Sequence, residues 1–359
     1  NESIDKPLLN RALRGTYPPG STYKPFMALA ALTTGKRSAS TIINDAGSWT
    51  YGGHTFRSHG DHGLGPVDMV RSIVLSSNVY YYSLANEMGV DTIHDFMKPL
   101  GFGQITGIDL PGEVRGVLPS TEWKRKTYKR PEQQKWYGGE TISLGIGQGY
   151  NTFTMLQLAT ATSALANGGW RHTPRVVRAT QDALTHQAQP TATSAATHLG
   201  FNPEHLSVIR NGLVGVTIGG TSAQVFAGAS YQSAGKTGTA QAVTIGQKEK
   251  YNASKLSEYQ RDHALYMAFA PAEQPQIALA LVVFATWKPR GVLLGAYLFG
   301  AVTVLQFHGQ GFGLAIPSEF LSMLPYLATV VVLVLISRDR QAILLNKPMS
   351  LGQSFRADQ

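Results

Sequence analysis

The chain has 359 residues, a length that fits one large domain or two ordinary ones and excludes a small scaffold stapled by disulfides. Hydrophobic residues make up 43% and charged residues 15%, which allows a sizeable core and excludes wholesale disorder. Lysine and arginine (31) exceed aspartate and glutamate (22) by 9, which permits an anionic partner without identifying one. Because the chain has no cysteine, thiolate zinc sites and cysteine nucleophiles are excluded as well.

Residues 1–284 have a globular pattern of short apolar runs between Gly, Pro and polar clusters. The chain opens at Asn1 with a polar segment, which we interpret as an internal start. Apolar spacing over residues 68–88 predicts a helix that is interrupted near residues 76–78. Further on, residues 231–245, 263–270 and 277–284 predict three neighbouring antiparallel strands.

The first chemical motif is Tyr-Pro-Pro-Gly-Ser-Thr-Tyr-Lys at residues 17–24. The Pro-Pro-Gly turn predicts that Ser21 opens a helix, and a spacing of three places Lys24 on the same face. A serine hydroxyl needs a base to become a good nucleophile, and lysine is such a base when burial or another cation keeps it neutral. Alone, this spacing is more typical of an ordinary helix surface.

The second motif is Ser-Ser-Asn at residues 76–78, inside the predicted helix break. In the functional interpretation, Ser76 and Lys24 relay protons while Asn78 holds the substrate amide. In the structural interpretation, the same residues form a polar turn.

The third motif is Lys-Thr-Gly-Thr on the first predicted strand. Functionally, Lys236 and Thr237 would face an anionic substrate group, and Gly238, which precedes Thr239, would let the substrate backbone approach the strand. Structurally, it would be an ordinary exposed strand.

Ser-x-x-Lys, Ser-x-Asn and Lys-Thr-Gly in this order form the signature set of β-lactamases and penicillin-binding proteins. The sequence resembles the transpeptidase domain of class B penicillin-binding proteins, most closely the elongation-type subgroup, penicillin-binding protein 2. The similarity covers about residues 1–284. Besides the motifs, it runs through Leu9-Asn-Arg-Ala-Leu, Thr106-Gly-Ile-Asp-Leu, Gly145-Ile-Gly-Gln-Gly-Tyr150 and Arg261-Asp-His.

The resemblance implies an α+β transpeptidase fold of the penicillin-binding-protein/β-lactamase type: an antiparallel sheet with helices on both faces, incomplete here at its N-terminal strands. It also implies acyl transfer on peptidoglycan stem peptides ending in D-Ala-D-Ala, with Ser21 as nucleophile and an amine of a neighbouring stem as acceptor. The backbone amides of Ser21 and Thr239 would hold the oxyanion. β-Lactams would acylate the same serine, and no cofactor is implied.

Two related reactions use the same motifs. Glu-x-x-Leu-Asn, the deacylating motif of the most similar serine β-lactamases, does not occur between Asn78 and Lys236, which favours a transpeptidase over an antibiotic hydrolase. A D,D-carboxypeptidase stays open, because water and amine acceptors differ in sites that the sequence does not reveal.

A polar loop at residues 54–62 contains imidazole and carboxylate groups, which are zinc ligands. Some relatives in the resembled family hold zinc here with two aspartates, a histidine and a cysteine. Asp45 and His62 match two of these ligands, whereas Ser58 and Ser77 stand at the other two places. Since two ligands rarely hold zinc, we predict no metal site and a polar loop over the active site.

Two other patterns have weaker interpretations. Residues 124–135 contain six basic residues between Trp123 and Trp136, and we interpret them as a solvated loop near anionic lipid or glycan, with no nucleic-acid partner. The Gly-x-Gly-x-Gly run at residues 145–149 follows no clear strand, so a dinucleotide site is not predicted.

The composition changes after residue 284. Residues 291–307 and 320–337 contain no charged residue and approach the ~17–25 residues that span a bilayer, which predicts two transmembrane helices within a membrane segment at residues 285–359. A pair of buried core helices is the alternative. This tail resembles the end of an ABC-transporter permease, which suggests a chimera and leaves a fragment of a membrane transport subunit as an alternative function.

The resemblance also implies a location and partners. The catalytic domain would lie on the periplasmic side of a bacterial inner membrane. Its partners would be peptidoglycan stem peptides, lipid-linked precursors, a SEDS-type glycosyltransferase and other elongation-complex proteins.

Overall fold

The structure, a computed structural model, describes residues 9–58, 62–182, 184–241 and 262–284. The chain divides into two units, Asn1–Ala285 and Thr286–Gln359, and every described residue belongs to the first. Both predicted membrane helices lie outside the described residues. Within the described part, no helix has the length and apolar character needed to cross a membrane.

Helices and short strands alternate along the described residues. The strands are β1 (Thr16–Tyr17), β2 (Ile43–Asp45), β3 (Ser48–Tyr51), β4 (His54–Arg57), β5 (Gly65–Val67), β6 (Phe153–Thr154), β7 (Trp170–Arg171), β8 (Ala179–Gln181), β9 (Ala188–Pro190), β10 (Thr197–His198), β11 (Ala234–Ala240), β12 (His263–Ala270) and β13 (Ile277–Phe284). The α-helices are α1 (Arg11–Arg14), α2 (Lys24–Thr33), α3 (Met69–Val74), α4 (Asn78–Met88), α5 (Val90–Met97), α6 (Thr121–Thr127), α7 (Pro131–Gln134), α8 (Gly138–Leu144), α9 (Met155–Ala166), α10 (Pro203–Ile218) and α11 (Ala223–Phe226). Gly20–Tyr23 and Lys98–Leu100 are 3₁₀ helices.

The main sheet is antiparallel, with the order β11-β12-β13, and the three predicted strands are confirmed. Lys236 pairs with Met267 and Thr237 with Tyr266. Strand β12 buries the large side chains of Leu265, Met267 and Phe269 on the core face, and the small Ala268 on the opposite face is buried as well. Five two-stranded pairs complete the β-structure of the described residues: β1-β6, β2-β5, β3-β4, β7-β10 and β8-β9.

Helix α2 lies at the centre of the core. Its residues from Lys24 to Leu32 are all buried, as expected for a helix that is apolar on every side. Phe26 lies 5.1 Å from Phe102 between ring centroids, and Phe102 lies 4.7 Å from Phe153. Because burying such a side chain stabilises the fold by about 1.5–3 kcal/mol, the helix that begins at Lys24 is held firmly.

The two faces of the main sheet differ. Helices α9 and α10 pack on the core face, and on the other face Phe226 of α11 stacks on Tyr266 at 6.2 Å. Ile277, Leu279 and Leu281 alternate along β13 and are exposed. The predicted lack of N-terminal strands stays a prediction, since residues 1–8 and 285–359 lie outside the described residues.

Candidate active site

Ser21 lies in a tight turn between a short strand and the central helix. Strand β1 pairs with β6, and the Pro-Pro-Gly turn then leads into the 3₁₀ helix Gly20–Tyr23. The backbone N–H of Lys24 donates to the carbonyl of Ser21, so the two residues are one 3₁₀ turn apart. Ser21 therefore opens a helix as predicted, but the first turn is a 3₁₀ turn rather than an α-helical one.

The Lys24 amine connects the first two motifs. Its side chain is fully buried, and its Nζ donates to the Ser76 carbonyl at 2.7 Å and to Asn78 Oδ1 at 2.6 Å. The Ser76 hydroxyl lies 3.2 Å from the same nitrogen. Residues that are more than fifty positions apart in the sequence thus surround a single amine.

The environment of Lys24 favours the neutral amine. Burial lowers the pKa of Lys24 well below its ordinary value, and the nearby Lys236 cation lowers it further, while the Asp45 carboxylate acts in the opposite direction. Burial also lowers the pKa of Lys236, to about 7. Desolvation disfavours the charged form of each lysine, so Lys24 has the electrostatic setting that a general base needs.

The break between α3 and α4 holds Ser76 in an unusual backbone conformation. Ser76 has a φ of 59°, in the left-handed region that non-glycine residues rarely adopt, a strain of order 1–3 kcal/mol. Asp68 caps α3 by accepting from the Arg71 N–H at 2.8 Å, and Ser77 caps α4 by accepting from the Tyr80 N–H at 3.2 Å. The predicted break is confirmed, since α3 ends at Val74 and α4 begins at Asn78, and the Ser77 cap stabilises the start of α4 directly after Ser76.

Strand β11 brings the third motif to the same place. Lys236 is fully buried, and its Nζ donates to the Thr237 carbonyl at 3.1 Å. Thr239 is exposed, and Thr237 is half-buried. The Thr237 hydroxyl lies 2.6 Å from that of Thr221, which the sequence patterns did not single out.

Gly238 is closely packed on the side where a side chain would project. A Cβ at this position would lie 2.9 Å from the Thr22 side chain and 3.1 Å from the Pro19 carbonyl. The space that the glycine leaves is therefore filled by the turn that carries Ser21. Gly20, with a φ of 54°, has the complementary role, since a Cβ there would lie 2.6 Å from the Thr239 carbonyl.

The glycine-rich run at residues 145–149 belongs to the site and was not assigned to it from sequence. The Gly147 carbonyl accepts from the Gly20 N–H at 3.0 Å, and the Gln148 side chain donates to the Thr239 carbonyl at 3.2 Å. This segment thus joins the Ser21 turn to β11. The sequence signal for this segment was its glycine spacing, which does not predict the residues that the segment contacts.

Asp45 and Ser77 form a buried contact behind the second motif. Asp45 is 1% exposed; its Oδ2 accepts from the Ser77 hydroxyl at 2.5 Å and its Oδ1 from the Gly47 N–H at 2.8 Å. Both carboxylate oxygens are therefore engaged, and Ser58 and Ser77 offer neutral hydroxyls, which are poor zinc ligands. The residues present do not fit a zinc site made of two aspartates, a histidine and a cysteine.

We expect Asp45→Asn to lower the free energy of unfolding by about 1–3 kcal/mol, because an amide cannot accept both hydrogen bonds. Removing the negative charge also lowers the pKa of Lys24 further, so the rising limb of the acylation-rate profile should move to lower pH. Chemical denaturation and acylation rates measured across pH check both effects. Ser77→Ala is the matched control: it loses the same contact but keeps the charge, so an equal pH shift there would contradict the electrostatic account.

The basic stretch at residues 124–135 is only partly a solvated loop. Helices α6 and α7 occupy most of it, and Lys124 is buried. The Lys124 ammonium pairs with Glu140 at 2.5 and 2.6 Å and lies 5.3–5.7 Å from the ring centres of Trp136, Tyr137 and Tyr150. The prediction of a solvated loop is therefore wrong for this lysine, whose charge is used internally.

A sequence profile of the penicillin-binding protein transpeptidase domain matches residues 1–287. The peptidoglycan D,D-transpeptidase MrdA of Acinetobacter baumannii is 44% identical over 287 residues, which are 78% of this chain and 41% of that protein. The chain therefore spans about two fifths of the length of this curated relative.

Two solved structures extend the comparison. The crystal structure of Pseudomonas aeruginosa PBP2 in complex with WCK 5153 is 39% identical with a TM-score of 0.67, over 79% of this chain and 60% of that chain. Helicobacter pylori PBP2, solved in complex with MreC, is 29% identical with a TM-score of 0.66, over 79% and 48%. The predicted transpeptidase fold is thereby confirmed.

Proposed function

Because the chain belongs to the penicillin-binding protein transpeptidase family, we propose that it is a peptidoglycan D,D-transpeptidase that transfers the acyl group of a D-Ala-D-Ala stem peptide to a neighbouring amine. The observation that carries this proposal is the buried Lys24 amine, which two motifs surround next to the strand of the third. A lysine in this setting serves the activation of a serine nucleophile.

In the first half-reaction, the Ser21 Oγ attacks the carbonyl carbon of the penultimate D-alanine and passes its proton to the neutral Lys24 amine. The new C–O bond pushes the carbonyl electron pair onto oxygen, and the backbone amides of Ser21 and Thr239 stabilise this oxyanion. Collapse of the intermediate breaks the C–N bond. The proton then returns from Lys24 through the Ser76 hydroxyl, 3.2 Å away, to the leaving D-alanine amine.

The remaining motif residues bind the donor peptide. The Asn78 Oδ1 accepts from Lys24, and the side chain of Asn78 also bonds to the Tyr82 hydroxyl. An amide NH₂ has two N–H donors, so one of them can still donate to a substrate carbonyl. Lys236 and the Thr237 hydroxyl face the terminal carboxylate of the donor. Lys236 has a pKa of about 7, so it is only partly protonated at neutral pH. A bound carboxylate raises this pKa, because the opposite charge favours the protonated form.

In the second half-reaction, the amine of a neighbouring stem attacks the Ser21 ester. An N–C bond forms, the ester C–O bond breaks, and Ser21 regains its proton. Attack by water instead of the amine would make the protein a D,D-carboxypeptidase.

We place the catalytic unit, residues 1–284, on the periplasmic side of a bacterial inner membrane, with residues 291–307 and 320–337 as membrane helices. The proposed partners are lipid-linked peptidoglycan precursors, a SEDS-type glycosyltransferase and elongation-complex proteins. The PBP2–MreC complex of Helicobacter pylori supports a role in such an assembly.

The test is covalent labelling of the full chain in detergent with a fluorescent penicillin. We expect one adduct that persists over hours, located by mass spectrometry on the tryptic peptide that contains Ser21. Chain denatured before the penicillin is added should take no label, which controls for slow reaction with surface amines. Rapid loss of the label would favour a hydrolase, and label on other residues alone would contradict the proposal.

A further inference from the structure

The ring of Tyr81 lies against the amine of Lys24, and the mechanism described above makes no use of it. Tyr81 is fully buried in α4, three residues after Asn78. The Lys24 Nζ lies over its ring, 5.6 Å from the centroid. This distance is within the ~6 Å over which an aromatic face attracts a cation. The base of the site therefore has an aromatic neighbour in addition to its hydrogen-bond partners.

The Tyr81 ring is held in place by contacts on several sides. Its hydroxyl lies 3.1 Å from the Ser72 hydroxyl, which also donates to the Met69 carbonyl at 2.7 Å. The Tyr80 ring lies 5.3 Å away between centroids. The end of α8 packs closely on the same turn of α4, because a Cβ at Gly145 would overlap the Tyr81 carbonyl. The ring is therefore fixed beside the amine before any charge forms there.

The Lys24 amine becomes positively charged during acylation. The Ser21 O–H bond breaks, a third N–H bond forms on Lys24, and the neutral amine becomes an ammonium ion. The two N–H bonds of the neutral amine point to the Ser76 carbonyl and to Asn78 Oδ1, which are uncharged acceptors. In the described part of the chain, no carboxylate pairs with this nitrogen. The new charge therefore forms in a buried site without a direct counter-ion, where desolvation opposes it.

Two charged groups on neighbouring strands act on Lys24 in opposite directions. Lys236, on β11, disfavours the ammonium form, and Asp45, on β2, favours it. Asp45 acts from a distance, since its two oxygens accept from the Ser77 hydroxyl and from the Gly47 N–H. The face of the Tyr81 ring is thus the electron-rich surface that lies directly against the amine.

We propose that Tyr81 is a positioning residue for the base, because the face of its ring stabilises the Lys24 ammonium that forms when Ser21 loses its proton. This inference rests on the proposed function. A carboxylate in place of the ring would keep the resting amine protonated, whereas the weaker attraction of a ring does not. A base works best when its pKa lies near the working pH, and the ring offsets part of the lowering that burial causes.

The experiment uses the full chain in detergent and measures the rate of penicillin acylation across pH. Tyr81→Phe keeps the ring and loses only the contact with Ser72, whereas Tyr81→Leu removes the ring. Tyr81→pentafluorophenylalanine keeps a ring of nearly the same shape, but its fluorine atoms withdraw electrons from the face, which then repels a cation. Tyr80→Leu is the matched control, because Tyr80 is an equally buried ring of α4 that lies 4.6 Å from the Arg37 guanidinium instead.

We expect the rising limb of the pH profile to stay within about 0.3 pH unit of the parent in Tyr81→Phe. In Tyr81→Leu and in the pentafluoro variant it should move to lower pH by about 0.5–1.5 units, because the Lys24 ammonium loses its support. The plateau rate of both should fall at least about threefold, since a weaker base removes the Ser21 proton more slowly. Tyr80→Leu should lose stability but keep the rising limb in place.

A rising limb at the same pH in Tyr81→Phe and in its pentafluoro form would overturn the proposal, as would an equal shift in Tyr80→Leu. If Tyr81→Leu does not fold, the comparison of the two ring-bearing variants decides, because they differ in charge distribution and hardly in shape. A parent protein that forms no penicillin adduct would overturn the proposed function instead.

Discussion

Replacing Lys24 with methionine is expected to lower the second-order rate constant for acylation by penicillin about 10³-fold. Methionine has a similar length but has no amine to accept the Ser21 proton. The carbonyl of Ser76 and the Oδ1 of Asn78 lose their donor, which should reduce the free energy of unfolding by about 1–3 kcal/mol without preventing folding. Stopped-flow acylation and denaturant unfolding measure the two effects.

The same substitution should change the pH profile. In the parent, acylation needs a neutral Lys24, so the rate rises as pH passes through a pKa that burial holds well below the usual value for lysine. It should fall again as Lys236, with a pKa of about 7, loses its charge. In Lys24→Met only the falling limb should remain. Lys36→Met, an exposed lysine just beyond the same helix, is the control, and a rising limb that survives in Lys24→Met would contradict the base role.

Gly147→Ala is expected to have the second large effect, lowering the acylation rate about 10²-fold although this residue touches no substrate. A Cβ at Gly147 would overlap the Gly20 carbonyl and lie 2.8 Å from the Tyr23 Cβ. The turn that carries Ser21 must therefore shift away from Gln148 and β11. With a φ of 71°, the alanine is also strained, and we expect a loss of about 1–3 kcal/mol in the free energy of unfolding.

The control for Gly147 is Gly35→Ala. Gly35 has a φ of 68° and nothing within 4 Å of an added Cβ, so alanine there has the same backbone strain without the overlap. This variant should lose stability but keep the parent rate of acylation, which the labelling assay measures. If both variants slow acylation equally, backbone strain rather than displacement of the Ser21 turn is responsible.

The sequence predicted the local elements of the site but not how they meet. Short spacings, such as that from Ser21 to Lys24, follow from helix geometry and could be read directly. The three main strands could also be predicted, because their alternating burial leaves a pattern in the residues. The contacts of Lys24 with Ser76 and Asn78 depend on long-range packing, and only the order of the motifs in the resembled family indicated them.

Two features were beyond the reach of sequence patterns for physical reasons. A glycine is needed at residue 238 because a Cβ there would press against the Thr22 side chain. Thr22 is remote from residue 238 in the chain, so local sequence patterns do not predict this contact. Lys124 lies in a basic run typical of an exposed surface, yet its ion pair with Glu140 and its hydrogen bond to the Lys135 carbonyl allow its burial. The composition of a segment predicts the average exposure of its residues, whereas the burial of each side chain depends on its own contacts.

The contact between the Ser77 hydroxyl and the Asp45 carboxylate uses only oxygen atoms. The start of α4, and with it Ser76 and Asn78, is held by groups that neither bind tightly to soft metals nor react with mild oxidants. If a thiolate or a zinc ion stood at the same place, the position of Ser76 would depend on the supply of metal and on oxidation by peroxide. We expect the rate of penicillin acylation to be the same after treatment with a zinc chelator or with dilute hydrogen peroxide.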